Sequence, residues 1–402
     1  MKRAIRCSAL LLTALCAGIF GFCARLGYLL PDEFTAYGSD VVSFTNFSTL
    51  SFHNQSKNIT AVRGDVSCCG DVSLFDIIPV KSVTVHRSEK KYVVPCGTLF
   101  GIKFYAKGAA VIRLCEIDEG GQTVCPGRDA GLLPGDTILK ADGCEIRSCG
   151  DVERLTSQSG GEALHLLCRR GGRDFETDIV PAASDGSYRL GLWIKDSAAG
   201  LGTMTFYDPE SGAFASLGHG ICDDETGELL ELDEARITAV EIAGITRGTD
   251  GCPGSINGYF RDGGGLGCAT ANSECGLYGT LSEPISKSAP VELAPIQEVH
   301  RGRAQILCTL DGCEPQLYDI EITKVDYDEK NKTKNLQITA TDEELLQKTG
   351  GIVQGMSGCP ILQNGKLAGA VTHVLITNSA KGYGIFAQNM FDEMEKAQNY
   401  SQ

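Results

Sequence analysis

The chain has 402 residues, enough for two or three domains, and its 42% hydrophobic and 22% charged residues are ordinary for a globular protein. Its formal net charge of -15 argues against nucleic acid as a partner, because proteins that bind nucleic acid present basic surfaces. The 49 glycines exceed the usual share and indicate many turns between short strands. We therefore expect a mostly β fold.

Residues 1–25 have the pattern of an export signal or a single membrane anchor. Lys2, Arg3 and Arg6 precede an apolar run from Cys7 to Ala24. The run is at the lower limit for a membrane span, and the lack of a clean cleavage site favours an uncleaved anchor. Positive charge before the run predicts that the rest of the chain lies outside the cytoplasmic membrane.

The 18 cysteines first suggest disulfides in an exported protein. No Cys-x-x-Cys occurs, so neither a zinc knuckle nor a thioredoxin-type motif is supported. Cys168 and Cys308 stand where a strand would carry a small apolar residue, and we expect most cysteines to be reduced and buried. No metal or organic cofactor is expected.

Residues 26–95 are expected to form short strands with polar loops, and the sequence indicates no function for them. The segment from Ile78 to Val85 alternates as a strand should. Residues 181–188 have the composition of a linker, and residues 189–402 contain many strand-like runs. Near the end, Phe386, Met390 and Met394 have helical spacing, which predicts a terminal helix that packs on the body.

Residues 96–180 contain a motif typical of PDZ domains. The run from Ala130 to Gly143 is similar to the pattern A-G-L-x-x-G-D-x-I-L-x-(V/I)-(N/D)-G, and a helix is expected over 151–158. PDZ domains bind a peptide as an added strand. We expect this peptide, a C-terminus or the chain's own N-terminal segment, to lie along Leu99, Phe100, Gly101, Ile102, Lys103 and Phe104. The alternative is a PDZ-shaped spacer without a ligand.

The run Gly355-Met356-Ser357-Gly358-Cys359-Pro360 looks like the nucleophile segment of chymotrypsin-like serine proteases. Ser357 stands between glycines that permit a tight turn, and the amides of Gly355 and Ser357 are expected to form an oxyanion hole. The turn Asn364-Gly365 predicts a hairpin directly after it. The run differs from the hydrolase motif G-x-S-x-G because Cys359 holds the final glycine position. The alternative is an ordinary serine in a glycine-rich turn.

A serine nucleophile requires a base and a group that orients the base. His219 lies between two glycines at the end of a strand-like run and precedes Ser357, the order found in chymotrypsin-like enzymes. His373, on a strand after Ser357, is the rival base.

For the orienting carboxylate, the residues alone leave four candidates open. They are Asp342, Asp223, Asp224 and Asp250. Asp342 follows a predicted strand, and either it or Thr341 is equally suited to cap a short helix that begins near Glu343.

Together, these motifs resemble the stage IV sporulation protein B family of endospore-forming Firmicutes, over about residue 75 to the end. The resemblance implies a PDZ domain followed by a chymotrypsin-like double β-barrel serine protease domain, behind an N-terminal signal or anchor helix. It places the family's His on His219, its Ser on Ser357 and its Asp, fifteen residues earlier, on Asp342. Cys359 departs from the family, in which many members carry another small residue.

The same resemblance implies a location and a substrate. The protein would enter the space between the forespore and mother-cell membranes, cleave itself, and trim a membrane-bound regulator of sigma-factor processing. Two other functions stay open: a non-catalytic PDZ scaffold at a membrane, and a general extracytoplasmic quality-control protease. In quality-control proteases the PDZ domain usually follows the protease, whereas here it precedes it.

Overall fold

In a computed structural model of the chain, the described residues are 2–37, 50–54, 60–62, 65–222, 227–230, 232–312, 314–328 and 330–400. Strands dominate this part of the chain, and the expected mostly β fold is confirmed. The strands form an N-terminal sheet, a PDZ unit and two closed barrels.

The N-terminal unit is a sheet that packs on the end of one long helix. Its elements are α1 (Lys2–Leu29), β1 (Glu33–Tyr37), β2 (Leu50–Asn54), β3 (Thr60–Val62), β4 (Asp65–Leu74) and β5 (Ile78–Ser88). The main strand order is β1-β5-β4-β2, with β3 paired to β4 and β1 parallel to β5. Cys23 and Leu26 of α1, and Leu30 directly after it, are buried against this sheet. Among the described residues, α1 is the one helix long and apolar enough to cross a membrane, through Ala9–Tyr28.

In the chain, the PDZ unit follows the N-terminal sheet and precedes most of the barrel strands. The elements of this stretch are β6 (Tyr92–Pro95), β7 (Leu99–Leu114), β8 (Ile117–Glu119), β9 (Gln122–Val124), α2 (Pro126–Asp129), β10 (Thr137–Ala141), β11 (Cys144–Glu145), α3 (Cys149–Gln158), β12 (Leu164–Arg170), β13 (Arg173–Ile179), β14 (Ala182–Ser184) and β15 (Ser187–Arg189). Helix α3 begins with a capping box in which Ser148 and Asp151 satisfy each other's backbone amides. Its buried face packs with the distal half of β7 around Ile138 and Leu166.

Six strands close the first barrel. In addition to β7, they are β16 (Leu192–Tyr207), β17 (Ala213–Ser216), β18 (Leu232–Thr246), β19 (Ser255–Ser273) and β20 (Gly276–Leu281). The pairing runs β7-β16-β17-β20-β19-β18 and returns from β18 to β7. Phe100, Ile237 and Leu277 are among the fully buried side chains that fill it.

The second barrel repeats this order of pairing. After β21 (Val291–Glu292) and a 3-10 turn (Ile296–Glu298), its elements are β22 (Gly302–Cys308), β23 (Gln316–Val325), β24 (Leu336–Ala340), α4 (Glu343–Thr349), β25 (Pro360–Gln363), β26 (Lys366–Val374) and β27 (Lys381–Phe386). The closed ring is β22-β23-β24-β27-β26-β25. In both barrels the first three strands pair in sequence and the last three return in reverse order, so the expected double barrel is confirmed.

The terminal helix and the 364–365 hairpin are also confirmed. Helix α5 (Ala387–Tyr400) buries Met390 and Met394 against the barrels. Asn364 and Gly365 both have positive φ angles, and Gln363 pairs with Lys366 across this turn.

The expected boundary at residue 96 differs from the structure because β7 belongs to two units. Its first half pairs with β18 of the first barrel, from Phe100 to Ala106, whereas Ala109 and Ala110 pair with β10 of the PDZ unit. Strand β16 follows β7 along almost its whole length. The two long strands therefore form a ribbon that joins the PDZ unit to the first barrel without a flexible break.

Candidate active site

Ser357 lies in the turn before β25, where the two barrels meet. Its neighbours Met356 and Cys359 are fully buried in the second barrel and hold the turn from that side. From the first barrel, the Thr203 amide on β16 donates to the Ser357 carbonyl over 2.9 Å, and the Thr203 hydroxyl donates to the Gly355 carbonyl over 2.8 Å. The nucleophile segment is therefore fixed by both barrels.

The amides expected to form the oxyanion hole are free of protein acceptors. In the described part of the chain, neither Gly355 nor Ser357 donates its backbone N–H to another group, whereas Gly358 donates to Val371 and Cys359 donates to Met356. Gly355 has a φ of 97°, which a residue with a side chain rarely adopts. This conformation leaves two backbone donors beside Ser357 for a developing negative charge.

Gly358 makes the closest contact between the nucleophile turn and the first barrel. A Cβ atom there would lie 1.9 Å from the Thr203 carbonyl oxygen and 2.7 Å from the Leu217 amide nitrogen, both main-chain atoms. We expect Gly358→Ala to push the barrels apart at Ser357 and to lower the hydrolysis rate by about 100-fold or more, the cost of a misplaced reacting group.

The matched control for this change is Gly365→Ala. Gly365 also has a positive φ, but an added Cβ would meet nothing within 4 Å, so this variant carries the backbone strain without the clash. Hydrolysis rates and thermal unfolding of both variants are the measurement. Equal loss of activity in the two would contradict the contact between barrels as the cause.

His219 follows β17 on the rim of the first barrel, after two residues with left-handed backbone. Leu217 and Gly218 have φ angles of 67° and 71°, and a Cβ on Gly218 would come within 2.9 Å of Thr372 on β26. The Nδ1 atom of His219 lies 2.9 Å from the Gly220 carbonyl oxygen. Because a carbonyl only accepts, Nδ1 carries the proton and Nε2 is the free base.

Asn272 holds the loop after His219 and was not expected from the sequence. Its side-chain oxygen accepts from the Ile221 amide over 2.9 Å, and its nitrogen donates to the carbonyls of Ile221 and Leu230. The Gly220 amide donates to the backbone carbonyl of Glu274 in the β19–β20 hairpin over 3.1 Å. This hairpin therefore sets the position of the imidazole. In the sequence, Asn272 is one polar residue at a strand end among many.

His373 lies beside His219 on β26. The two ring centroids are 5.0 Å apart at an interplanar angle of 38°. Burial, with smaller contributions from His219 and Lys334, lowers the pKa of His373 to about 4, so the ring is neutral near pH 7. Its Nδ1 atom is buried and has no hydrogen-bond partner among the described residues.

The structure brings Ser357, His219 and His373 together but does not join Ser357 to a histidine. The Ser357 hydroxyl donates to the Thr372 carbonyl over 2.7 Å. Catalytic hydrogen bonds are often long or poorly aligned without substrate and tighten in the Michaelis complex, so this geometry does not rule out a serine–histidine pair.

Asp342 is placed as a helix cap rather than as a partner of His219. One carboxylate oxygen accepts from the Leu345 amide over 3.0 Å and the other from the Asp319 amide over 3.2 Å. Asp250 accepts from the Ser379 amide. The other two candidates, Asp223 and Asp224, lie outside the described residues. The sequence left open whether Asp342 or Thr341 caps α4, and in the structure Asp342 is the cap.

We expect Asp342→Asn to keep most of the activity, because asparagine caps a helix nearly as well as aspartate. Asp342→Ala should cost about 1 kcal/mol of stability through loss of the cap. Chemical unfolding and the hydrolysis rate of both variants are to be measured. A loss of about 10⁴-fold in kcat for the asparagine variant, with unchanged stability, would instead assign Asp342 to the orientation of His219.

Burial lowers the pKa of His219, and the bond to Gly220 offsets only part of this. A base is active when it is unprotonated, so a lowered pKa extends activity towards acid. In a plot of kcat/KM against pH, we expect activity to fall on the acid side with an apparent pKa below the ordinary histidine value of 6.5. A limb above that value would contradict this assignment and point to a carboxylate on the imidazole.

The segment 99–104 is not available for the peptide that the sequence analysis placed there. Leu99 and Phe100 pair with Thr203 and Gly202 of β16, and on the other edge Phe100 to Phe104 pair with β18. A strand with partners on both edges has no backbone groups left for an added strand. The reason is the ribbon described above: this half of β7 is built into the first barrel.

The described residues contain no group of three or more His, Cys, Asp or Glu side chains arranged to hold a metal ion. Sixteen cysteines in the described part of the chain form no disulfide, and eight of the sixteen are buried. Burial raises the pKa of Cys168 to about 12 and that of Cys275 to about 11, which keeps both as neutral thiols.

Two family models match the chain. The model described as SpoIVB peptidase S55 matches residues 186–391, more than half of the chain, and a PDZ domain model matches residues 118–170. Proteins of Brucella suis and Brucella melitensis named as putative zinc metalloproteases are each 30% identical over 154 residues. The match covers 37% of this chain and 40% of each relative, so the chain spans well under half of their length.

The chain is also similar to solved structures of a PDZ domain and of a protease. The PDZ domain of an SdrC-like protein from Listeria monocytogenes is 22% identical, covers 22% of this chain and 90% of that domain, and has a TM-score of 0.19. The active form of the Rv3671c protease from M. tuberculosis is 16% identical, covers 50% of this chain and 74% of that protease, and has a TM-score of 0.29. The double barrel rests on the strand pairing rather than on these scores.

The family match contains both residues that the structure brings to the junction of the barrels, His219 and Ser357. The chain therefore belongs to the SpoIVB peptidase S55 family and contains a PDZ domain.

Proposed function

We propose that this peptidase cleaves peptide bonds with Ser357 as nucleophile and His219 as base. The observation that carries the proposal is that both residues lie against β26 next to the free amides of Gly355 and Ser357. The Ser357 hydroxyl donates to Thr372, and the His219 ring lies beside His373.

In the first half of the reaction, the Ser357 hydroxyl turns from Thr372 towards His219 and attacks the scissile carbonyl carbon. Nε2 of His219 takes the hydroxyl proton, and the oxygen that becomes negative is bound by the amides of Gly355 and Ser357. His219 then donates the proton to the leaving amine. The Gly220 carbonyl keeps Nδ1 protonated throughout, the orienting role that the resemblance assigns to Asp342.

In the second half, a water molecule replaces the leaving amine. His219 takes a proton from this water as it attacks the acyl carbon on Ser357, and the same two amides bind the oxyanion again. Return of the proton to the Ser357 oxygen releases the new carboxyl end of the substrate. The cycle restores the free hydroxyl and the neutral imidazole.

We further propose that α1 anchors the chain in the cytoplasmic membrane, with the barrels outside. The span Ala9–Tyr28 has a mean hydropathy of 2.0 and is only 11% buried against the protein. Three basic residues precede it, which favours retention of the N-terminus on the inside. From the family, we propose self-cleavage and a membrane-bound regulator of sporulation as the protein substrate.

Self-cleavage is tested by intact mass spectrometry of the purified full chain in detergent, wild type beside Ser357→Ala. The proposal predicts fragments that grow with time in the wild type and not in the variant. Stable masses in both would favour the non-catalytic scaffold, for which the Ser357–Thr372 bond is the supporting observation. Fragments in both would assign the cleavage to another protease.

A further inference from the structure

The turn that joins β4 to β5 exposes two large apolar side chains at its tip. Phe75 is 63% exposed and Ile77 is 81% exposed, whereas the preceding Leu74 is buried in the N-terminal core. The Ile77 amide closes the turn on the Leu74 carbonyl over 3.2 Å. We call Phe75, Asp76 and Ile77 the hairpin tip.

Phe75 occupies a backbone conformation that phenylalanine rarely adopts. Phe75 and Asp76 have φ angles of 53° and 62°, where asparagine or glycine is usual and a bulky side chain is an outlier. Folding alone would favour a small or polar residue at this place. An exposed aromatic ring on a strained turn is what a surface that binds an apolar partner would show.

Helix α1 lies along β5 and runs in the same direction. Gly27 packs on the main chain of Val80, where a Cβ added to the glycine would lie 3.1 Å from the Val80 carbonyl oxygen. Further along, Lys81 donates to the Leu30 carbonyl and the Thr84 amide donates to the Asp32 carbonyl. The hairpin tip at the start of β5 therefore lies towards the start of α1.

The lengths place the hairpin tip beside the apolar span. From Gly27 back to Cys23 the helix rises by about 6 Å. From Val80 back to Ile77 the strand covers about 10 Å. The hairpin tip is therefore level with Cys23 or beyond it, inside the span Ala9–Tyr28. On α1, Phe20 and Phe22 at this level are 77% and 56% exposed.

We propose that the hairpin tip sits in the same leaflet of the lipid bilayer as the end of α1, as a second membrane contact. Phe75 and Ile77 enter the boundary between headgroups and acyl chains, where aromatic and aliphatic side chains are stabilised. This inference rests on the proposed anchoring by α1. With two membrane contacts, the N-terminal sheet would set the tilt and height of the barrels above the membrane. The sequence alone shows no function for this sheet.

The test uses tryptophan fluorescence of the full chain in phosphatidylcholine vesicles whose acyl chains carry bromine. Trp193 is the chain's one tryptophan, so Trp193→Phe gives a silent background. In this background, Phe75→Trp is expected to emit at shorter wavelength and to lose most of its fluorescence to the brominated lipid. Ile77→Trp is the second reporter, in case the strained position 75 does not accept tryptophan.

The matched control is Ile376→Trp in the same background. Ile376 is 59% exposed on the second barrel and is expected to keep its fluorescence. Flotation with the vesicles is measured in parallel. A floating protein with both tip reporters unquenched would overturn this inference and leave the anchor intact. A protein that does not float would overturn the anchoring itself, and with it the inference.

Discussion

Replacement of Ser357 by alanine is expected to lower kcat for peptide hydrolysis by about 10⁶-fold, the scale of nucleophile loss in serine proteases. The expectation follows from the position of the hydroxyl, which lies on the turn that carries the free amides and donates to Thr372, next to His373, whose ring lies beside that of His219. The backbone of the turn is held by Thr203 and by the buried residues on either side, so it should survive the change. The measurement is the hydrolysis rate of a protein or peptide substrate confirmed for the wild type.

A matched control separates chemistry from folding. Ser286→Ala removes a hydroxyl that likewise donates to a carbonyl, that of Pro95 over 2.9 Å, but away from the active site. Both alanine variants should lose about 1 kcal/mol or less of stability from the missing hydrogen bond. Only the variant at Ser357 should lose activity. Full hydrolysis by Ser357→Ala would contradict the assignment of the nucleophile.

Replacement of His219 by glutamine is expected to remove nearly as much activity, about 10⁴-fold or more. Glutamine fits the half-buried site and still donates to the Gly220 carbonyl, but it accepts no proton at neutral pH. The amides of Gly355 and Ser357 stay in place in this variant. Any residual rate would therefore come from substrate binding and the oxyanion hole alone.

His373→Gln is the matched variant, because the two imidazoles lie side by side. Burial lowers the pKa of His373 to about 4, and among the described residues its Nδ1 has no hydrogen-bond partner. We therefore expect it to be a weak base that lines the site. We expect only a modest loss of activity from this change. If His373→Gln abolished hydrolysis and His219→Gln retained it, the two roles would have to be exchanged. A steady-state rate for each variant decides between them.

The local motifs were readable from the sequence because each depends on short-range chemistry. The turn Asn364-Gly365 requires positive φ at two positions, and β25 and β26 pair across it as expected. Ser357 between two glycines likewise predicts a tight turn. The double barrel was expected from the nucleophile segment around Ser357 and from the family resemblance.

Long-range placement could not be predicted in the same way. No feature of residues 99–104 tells that β7 continues from the first barrel into the PDZ unit, because a strand's partners are set by distant segments. Asp342 shows the same limit. Its sequence context suits both a cap and a catalytic carboxylate, and only the contacts with Asp319 and Leu345 distinguish them. Thr203 and Asn272 act from strands far away in the chain.

The most direct test of Ser357 as the nucleophile is covalent labelling of the folded full chain with a fluorophosphonate, followed by peptide mass spectrometry. We predict one adduct, on Ser357, which disappears in Ser357→Ala and is greatly slowed in His219→Gln. Denatured wild type should not react, because the reaction requires the base and the two amides. A folded wild type that takes no label, or that carries it on another residue, would contradict Ser357 as the catalytic nucleophile.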